Sequence, residues 1–232
     1  MFQNLKKYRY FILFFVVFSI VTLTAFYQVL KPKKSLPVYN PSDVNPELVD
    51  TTIQHIARDH TIEHFSFINQ NGKKITDKDY DGKIYVADFF FTSCKTICPK
   101  MTTNMAWLQD KIKNNPKVKL VSFSVTPDID SVSVLKKYAL EKGVIDSKWN
   151  LLTGDKKAIY YLARKSFLVV KTGKPEELYD MVHTENFVLV DSKKRIRGFY
   201  DGTNLDQPTQ DPKTKNISQL LEDINFLCQE KE

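Results

Sequence analysis

The chain has 232 residues, of which 42% are hydrophobic and 26% charged, and it carries a formal net charge of +7. Six cations, Lys6, Lys7, Arg9, Lys31, Lys33 and Lys34, lie in an N-terminal stretch with no acid, so the remainder is close to neutral. No nucleic-acid partner is therefore expected, and the length left over suits one globular domain with a sizeable core.

From Tyr10 to Leu30 no side chain is charged. At helical rise this stretch covers about 30 Å, the thickness of a bilayer core. The sequence thus predicts a short cytoplasmic N-terminus over 1–9 and a membrane-spanning anchor over 10–30. The apolar run is longer than a signal-peptide core and no A-x-A site follows it, so the anchor is expected to stay uncleaved. Lys and Arg flank it equally, so the positive-inside rule does not orient it. The very short N-terminal lead favours a domain outside the cytoplasm. Pro32, Pro37, Pro41 and Pro46 mark 31–46 as a tether, and 47–232 is the expected domain.

Residues 47–64 are read as adding a short helix. Asn71-Gly72, between Phe65–Ile68 and Lys74–Thr76, predicts a hairpin. Lys83–Phe91 is nearly continuous apolar sequence and predicts a central strand buried on both faces. It runs into Cys94 and Cys98. Pro99 suits a first helical turn, and Met101, Met105, Leu108 and Ile112 form the stripe of the helix that follows. A strand is expected at Val118–Val125, a helix from Ser131 to Gly143, a strand at Trp149–Leu152 and a helix from Asp155 to Ser166. Alternation of this kind defines an α/β domain with a partly parallel sheet. A terminal hairpin, Asn186–Asp191 and Arg195–Tyr200, precedes a helix striped by Ile217, Leu220, Leu221, Ile224, Leu227 and Cys228.

Three cysteines are too few for a disulfide scaffold and read as a functional pair plus a core residue, Cys228. Cys94 and Cys98 are one helical turn apart, so their sulfurs can chelate one metal or form a disulfide, and spacing does not separate the two. A helix N-terminus and Lys95 both favour thiolates, which either chemistry needs. A lone His183 is more often a hydrogen-bonded loop residue than a ligand. With two thiolates it would complete a soft, low-coordinate site suited to copper; a structural zinc site would want a fourth protein ligand, and none is evident. Asp88, buried in the central strand, either moves protons for the dithiol or is simply hydrogen-bonded at the sheet edge. Asp130 is read first as the cap of the next helix and second as a residue that tunes the site or orients a partner. His55, His60 and His64 lack the cysteine company of a second metal site.

FFFTSCKTICPKM, SVTPDIDSVSVLKKYA, LLTG and MVHTENFVLVDSKKRIRGFYDG together resemble the Sco/SenC family of copper chaperones for cytochrome c oxidase, across most of residues 62–230. The resemblance implies a thioredoxin-like fold with a central mixed sheet flanked by helices. It also implies copper held by Cys94, Cys98 and His183, and a role in building the oxidase copper site. Expected partners are the copper-bearing oxidase subunit, other copper chaperones or thiol reductants, and the membrane. The expected location is a bacterial cytoplasmic membrane with the domain facing the periplasm. Two positions depart from the family pattern: Lys95 stands where proline is common, and Thr126 replaces the first acid of D-P-x-x-D-T, while Asp130 matches the second.

Two further readings compete. A membrane-anchored thiol-disulfide oxidoreductase would use Cys94 as its attacking thiolate, with His183 accessory. A peroxidase would need an arginine, Arg164 or Arg197, beside a single cysteine, and the C-x-x-x-C-P pair argues against it.

Overall fold

The structure, a computed structural model, describes residues 8–30, 35–46, 49–169, 185–208 and 215–230. The chain divides into two compact units, Met1–Ser35 and Leu36–Glu232. In the first, α1 (Arg9–Leu30) is a helix long and apolar enough to cross a membrane.

The second unit is built on a seven-stranded sheet. Its strands are β1 (Ser66–Asn69), β2 (Lys74–Thr76), β3 (Ile84–Phe90), β4 (Val118–Ser124), β5 (Trp149–Thr153), β6 (Asn186–Val190) and β7 (Ile196–Asp201). Their order across the sheet is β2-β1-β5-β4-β3-β6-β7. The β3–β4 and β4–β5 pairs are parallel and the remaining pairs antiparallel, so the sheet is mixed. Between the parallel strands run α2 (Cys98–Ile112) and α3 (Val132–Glu141), and after β5 comes α4 (Lys156–Tyr161), which widens into a π-turn over Leu162–Ser166. The chain ends on α5 (Ile217–Gln229). This is the thioredoxin-like arrangement.

Two-residue periodicity sorts the central strand. Ile84, Val86 and Phe90 face a core that takes Met101, Met105, Leu108 and Ile112 from α2, Leu135 from α3 and Ile217, Leu220, Ile224 and Leu227 from α5. Tyr85, Ala87 and Phe89 face the other way, against Phe65, Phe67, Tyr80, Phe123, Ile159 and Phe167. All seven residues of β3 are buried, as the unbroken apolar run requires. Local signals end the elements where expected. Gly72 takes φ +73 in the first hairpin and Gly143 takes +69 after α3, backbone positions that favour glycine. Asp155 caps α4, and Asn216 with Gln219 forms a capping box on α5.

Two expectations are corrected. No helix forms among the described residues of 47–64; Asp50 instead binds the Thr52 N–H and hydroxyl, holding the backbone in turns. The helix expected to run from Asp155 to Ser166 is α only to Tyr161. The Phe167 N–H then reaches the Leu162 carbonyl at 2.9 Å, a five-residue step that brings Ser166 and Phe167 inside.

Candidate metal and dithiol site

The site begins where β3 runs out. Phe90 is its last residue, and the chain turns through Phe91–Ile97 before Cys98 opens α2. Pro99 sits in the first turn, where its missing N–H costs nothing. The Cys94 N–H donates to the Phe91 carbonyl at 3.3 Å, which folds Cys94 back over the strand end. The Cys98 N–H donates to Cys94 Sγ at 3.4 Å, and the Thr96 hydroxyl lies 3.6 Å from the same sulfur. Both cysteines are free and buried, Cys98 at 3% exposure and Cys94 at 8%.

The two thiols are not equivalent, although the sequence led us to expect both to be acidified. Burial pushes Cys94 up, but hydrogen bonds from Cys98 and Thr96 outweigh it and bring the thiol down to about 7. Burial drives Cys98 up to about 12, and Cys94 and then the Asp88 carboxylate act in the same direction. The deeper thiol therefore serves as donor to the shallower one.

Asp88 lies in the middle of the sheet and not at its edge. Its parallel register partner on β4 is Ser122, whose hydroxyl donates to the carboxylate. Burial raises the Asp88 carboxyl to about 7 against that hydrogen bond. Tyr138 on α3 faces the same region: its hydroxyl bonds Thr102 on α2 at 2.7 Å, and burial raises it to about 12, with Asp88 and both cysteines adding to the effect.

Asp130 does not cap α3. Ser131 does so, accepting from the Val134 N–H. The Asp130 carboxylate is fully buried and accepts from Thr92, Ser124 and Thr126. Sequence reading missed Thr92, Thr96, Ser122 and Tyr138, because a short polar residue or a tyrosine carries no signal of its partner.

His183 lies outside the described residues. The register does locate the strand it precedes: β6 runs antiparallel to β3, with Ala87 opposite Val188, so the start of β6 lies beside the end of β3 that leads to Cys94. Glu185 is tied down there. Its carbonyl accepts from the Gly202 N–H at 2.6 Å, and the Gly202 carbonyl accepts from Asn104 on α2 at 2.8 Å.

Other candidates are engaged elsewhere. Among the described residues no three His, Cys, Asp or Glu side chains converge as a metal-binding set. His60 Nε2 lies 2.8 Å from the Ser166 carbonyl, and His64 Nδ1 lies 2.6 Å from Asp77. The Arg197 guanidinium is buried against Asp191, Glu230 and the Leu36 and Pro37 carbonyls. Arg164 borders a cleft of about 490 Å³ with Asp50, Tyr160 and Lys165. Cys228 is only partly buried and accepts from Asn115 Nδ2 at 3.4 Å, a looser position than the core site expected for it.

Fold and site together define a thioredoxin-like protein whose paired cysteines sit at the turn between a central strand and its following helix. Residues 53–221 match the family described as SCO1/SenC, and the chain belongs to that family. It is 38% identical over 145 residues to a Bacillus subtilis protein described as an SCO1 homolog, covering 62% of this chain and 75% of the relative. It spans less than half of the mitochondrial relatives it matches from Arabidopsis thaliana and Homo sapiens. Among solved structures it resembles BsSco, a member of the Sco family of cytochrome c oxidase assembly proteins described with a disulfide switch, at 33% identity and TM-score 0.60, covering 75% of this chain and 96% of that one. It also resembles Arabidopsis thaliana ScoI with copper bound, at 27% identity and TM-score 0.54, covering 72% and 98%.

Proposed function

We propose that this chain is a membrane-anchored copper chaperone that captures copper through Cys94, Cys98 and His183 and delivers it to the copper-bearing subunit of cytochrome c oxidase. The observation that supports this reading best is the antiparallel register of β3 and β6, which brings the exit toward Cys94 and the strand preceded by His183 to one end of the sheet. Two soft thiol donors one turn apart suit a soft ion, and one imidazole completes a low-coordinate set from which cargo can leave. Cys94, with its lowered thiol, is the first donor at neutral pH; Cys98 loses its proton as the metal binds. Copper-bound ScoI and the oxidase-assembly description of BsSco support cargo and client alike. In this reading α1 is the anchor and the domain faces the periplasm, where other copper chaperones or thiol reductants would load or reset it.

The test is Cu(I) binding by the reduced full-length chain in detergent, against Cys98→Ala and His183→Ala. One copper per chain, greatly weakened by both substitutions, is the expected result. A parent protein that binds no copper sinks the proposal.

A second reading, a thiol-disulfide reductase, draws on the asymmetry of the two thiols. The Cys94 thiolate would attack a client disulfide to give a mixed disulfide. Cys98, losing its proton, would then attack Cys94 Sγ, leaving a Cys94–Cys98 disulfide and a reduced client. Turnover of a client disulfide by a His183→Ala protein would favour it.

A further inference from the structure

The site has a buried group that the proposed chemistry does not use. Asp130 has no exposed surface, and among the described residues every hydrogen-bond partner of its carboxylate is a donor. Thr92 gives it both a backbone N–H at 3.2 Å and a hydroxyl at 2.5 Å, Ser124 a hydroxyl at 2.6 Å and Thr126 a hydroxyl at 3.1 Å. A carboxylate sealed from water persists only when donors of this number replace its hydration. Helix capping does not account for the arrangement, because Ser131, the next residue, caps α3 from an exposed position.

The partners show what the carboxylate connects. Ser124 closes β4, Thr126 lies two residues beyond it, and Thr92 lies 38 residues before Asp130 and two before Cys94. The Val125 N–H donates to the Phe90 carbonyl at 2.9 Å, so the ends of β3 and β4 are already side by side. Thr126 N–H bonds Ser124 Oγ, and the Ile129 and Asp130 N–H groups bond the Thr126 carbonyl, which makes the β4–α3 loop a closed unit. Asp130 fastens that unit to the cysteine turn at one residue, through both its backbone and its side chain. Phe91, whose carbonyl positions the Cys94 N–H, is the residue before that fixed point.

We propose that Asp130 is the positioning residue of the dithiol: by clamping Thr92 to the end of β4 it presets the turn in which Cys98 and Thr96 reach the Cys94 sulfur, without touching the sulfur itself. The inference deepens the chaperone reading in its metal arm and stands apart from it in its thiol arm. A side chain that orients ligands from behind acts on affinity and reactivity, typically by about 10- to 100-fold in metal binding.

The experiment compares the full-length reduced protein with Asp130→Asn and Thr92→Val. The metal-free proteins are assayed for the rate of Cys94 alkylation by iodoacetamide at pH 7, and all three for Cu(I) affinity by chelator competition, with melting recorded alongside. Loss of positioning slows Cys94 at least about threefold, since its thiolate loses the two donors, and weakens Cu(I) by about tenfold, with Thr92→Val changing in the same direction. Simple removal of a nearby negative charge would instead speed Cys94. An Asp130→Asn protein that is folded and alkylates at the parental rate or faster overturns the inference; if that variant does not fold, a parental rate in Thr92→Val does so. A parent that binds no Cu(I) defeats the chaperone reading alone, and the alkylation arm still decides the role of Asp130.

Discussion

Ser122 stands between Trp149 and Asp88: it accepts from Trp149 Nε1 at 2.8 Å and passes its own hydroxyl hydrogen to the Asp88 carboxylate. Three adjacent strands, β5, β4 and β3, thus contribute one member each to a buried polar line that ends under the cysteine turn. The line gives Asp88 one strong side-chain donor, and among the described residues no cation pairs with it, so burial dominates and the carboxyl rises to about 7.

That rise has a consequence for stability. The folded-state value lies above the ordinary carboxylate value near 4, so the folded protein holds this proton more tightly than the unfolded chain does. The stabilisation is fully present below about pH 4 and is lost as pH climbs to about 7, beyond which an unpaired buried charge remains. Asp88→Asn removes the ionisation. It should be more stable than the parent at pH 8 by about 2–4 kcal/mol, with the gap closing toward pH 4. Urea unfolding of the reduced, metal-free protein at the two pH values checks this, and a variant less stable at pH 8 would refute it.

The thiols should titrate apart. In the reduced, metal-free protein, alkylation of Cys94 should reach half its limiting rate near pH 7, while Cys98 stays unreactive across the neutral range. Mass spectrometry of partially alkylated samples separates the two sites. Equal labelling of both at pH 7 would contradict the asymmetry.

Arg197 and Asp191 hold the beginning of the domain. Arg197 is buried, pairs with Asp191 at 3.0 Å and Glu230 at 3.2 Å, and donates to the Leu36 and Pro37 carbonyls, while the Tyr39 N–H adds a bond to Ile196 on β7. Arg197→Ala strips the Leu36 and Pro37 carbonyls of their donor and leaves Asp191 with the Arg195 guanidinium as its one remaining cation among the described residues, beside the Lys193 and Arg195 N–H groups. A loss of about 3 kcal/mol is expected, with faster protease cleavage between residues 35 and 40. Burial raises the Asp191 carboxyl, but Arg195 and Arg197 outweigh it and hold it below its ordinary value. Its stabilisation is therefore present above about pH 4 and lost on acidification below that. The melting-temperature gap between the parent and Arg197→Ala should narrow from pH 7 to pH 3, a comparison in which Asp88 is common to both proteins; a gap that stays constant would count against this pairing.

Packing supplies a further contrast. Leu108 has no exposed surface and faces the sheet from α2, whereas Leu140 on α3 is 71% exposed. Leu108→Ala should cost about 2–5 kcal/mol, and Leu140→Ala less than about 0.5 kcal/mol, as read from urea midpoints.

The residues legible in advance are those whose structure depends on close neighbours in the chain. The Asn71-Gly72 hairpin, the two-sided burial of β3 and the Met101, Met105, Leu108 and Ile112 stripe follow from one turn or one pleat of backbone, and all three are present. Turn chemistry was harder to read where short polar side chains compete for the backbone, as Asp50 and Thr52 do in the segment expected to be helical. The C-x-x-x-C-P motif placed both cysteines at a strand-to-helix turn, because a strand running into a helix-starting proline leaves no other place for them.

The division of labour within that turn was decided by the fold. Which thiol is acidified depends on how deep each lies and on which neighbours reach it, and Cys94 and Cys98 differ on both counts. For Asp88 the sequence left two readings, proton mover for the dithiol or a group hydrogen-bonded at the sheet edge; the strand order puts β3 between β4 and β6, so its hydrogen bond comes from the neighbouring strand, from Ser122, a residue 34 positions away. Asp130 looked like a cap for the same reason that Ser131 is one, and only the approach of the β3 and β4 ends gave it Thr92 instead. Periodicity and caps are written in neighbouring residues, whereas burial and long-range partners exist only once the sheet has brought distant segments together.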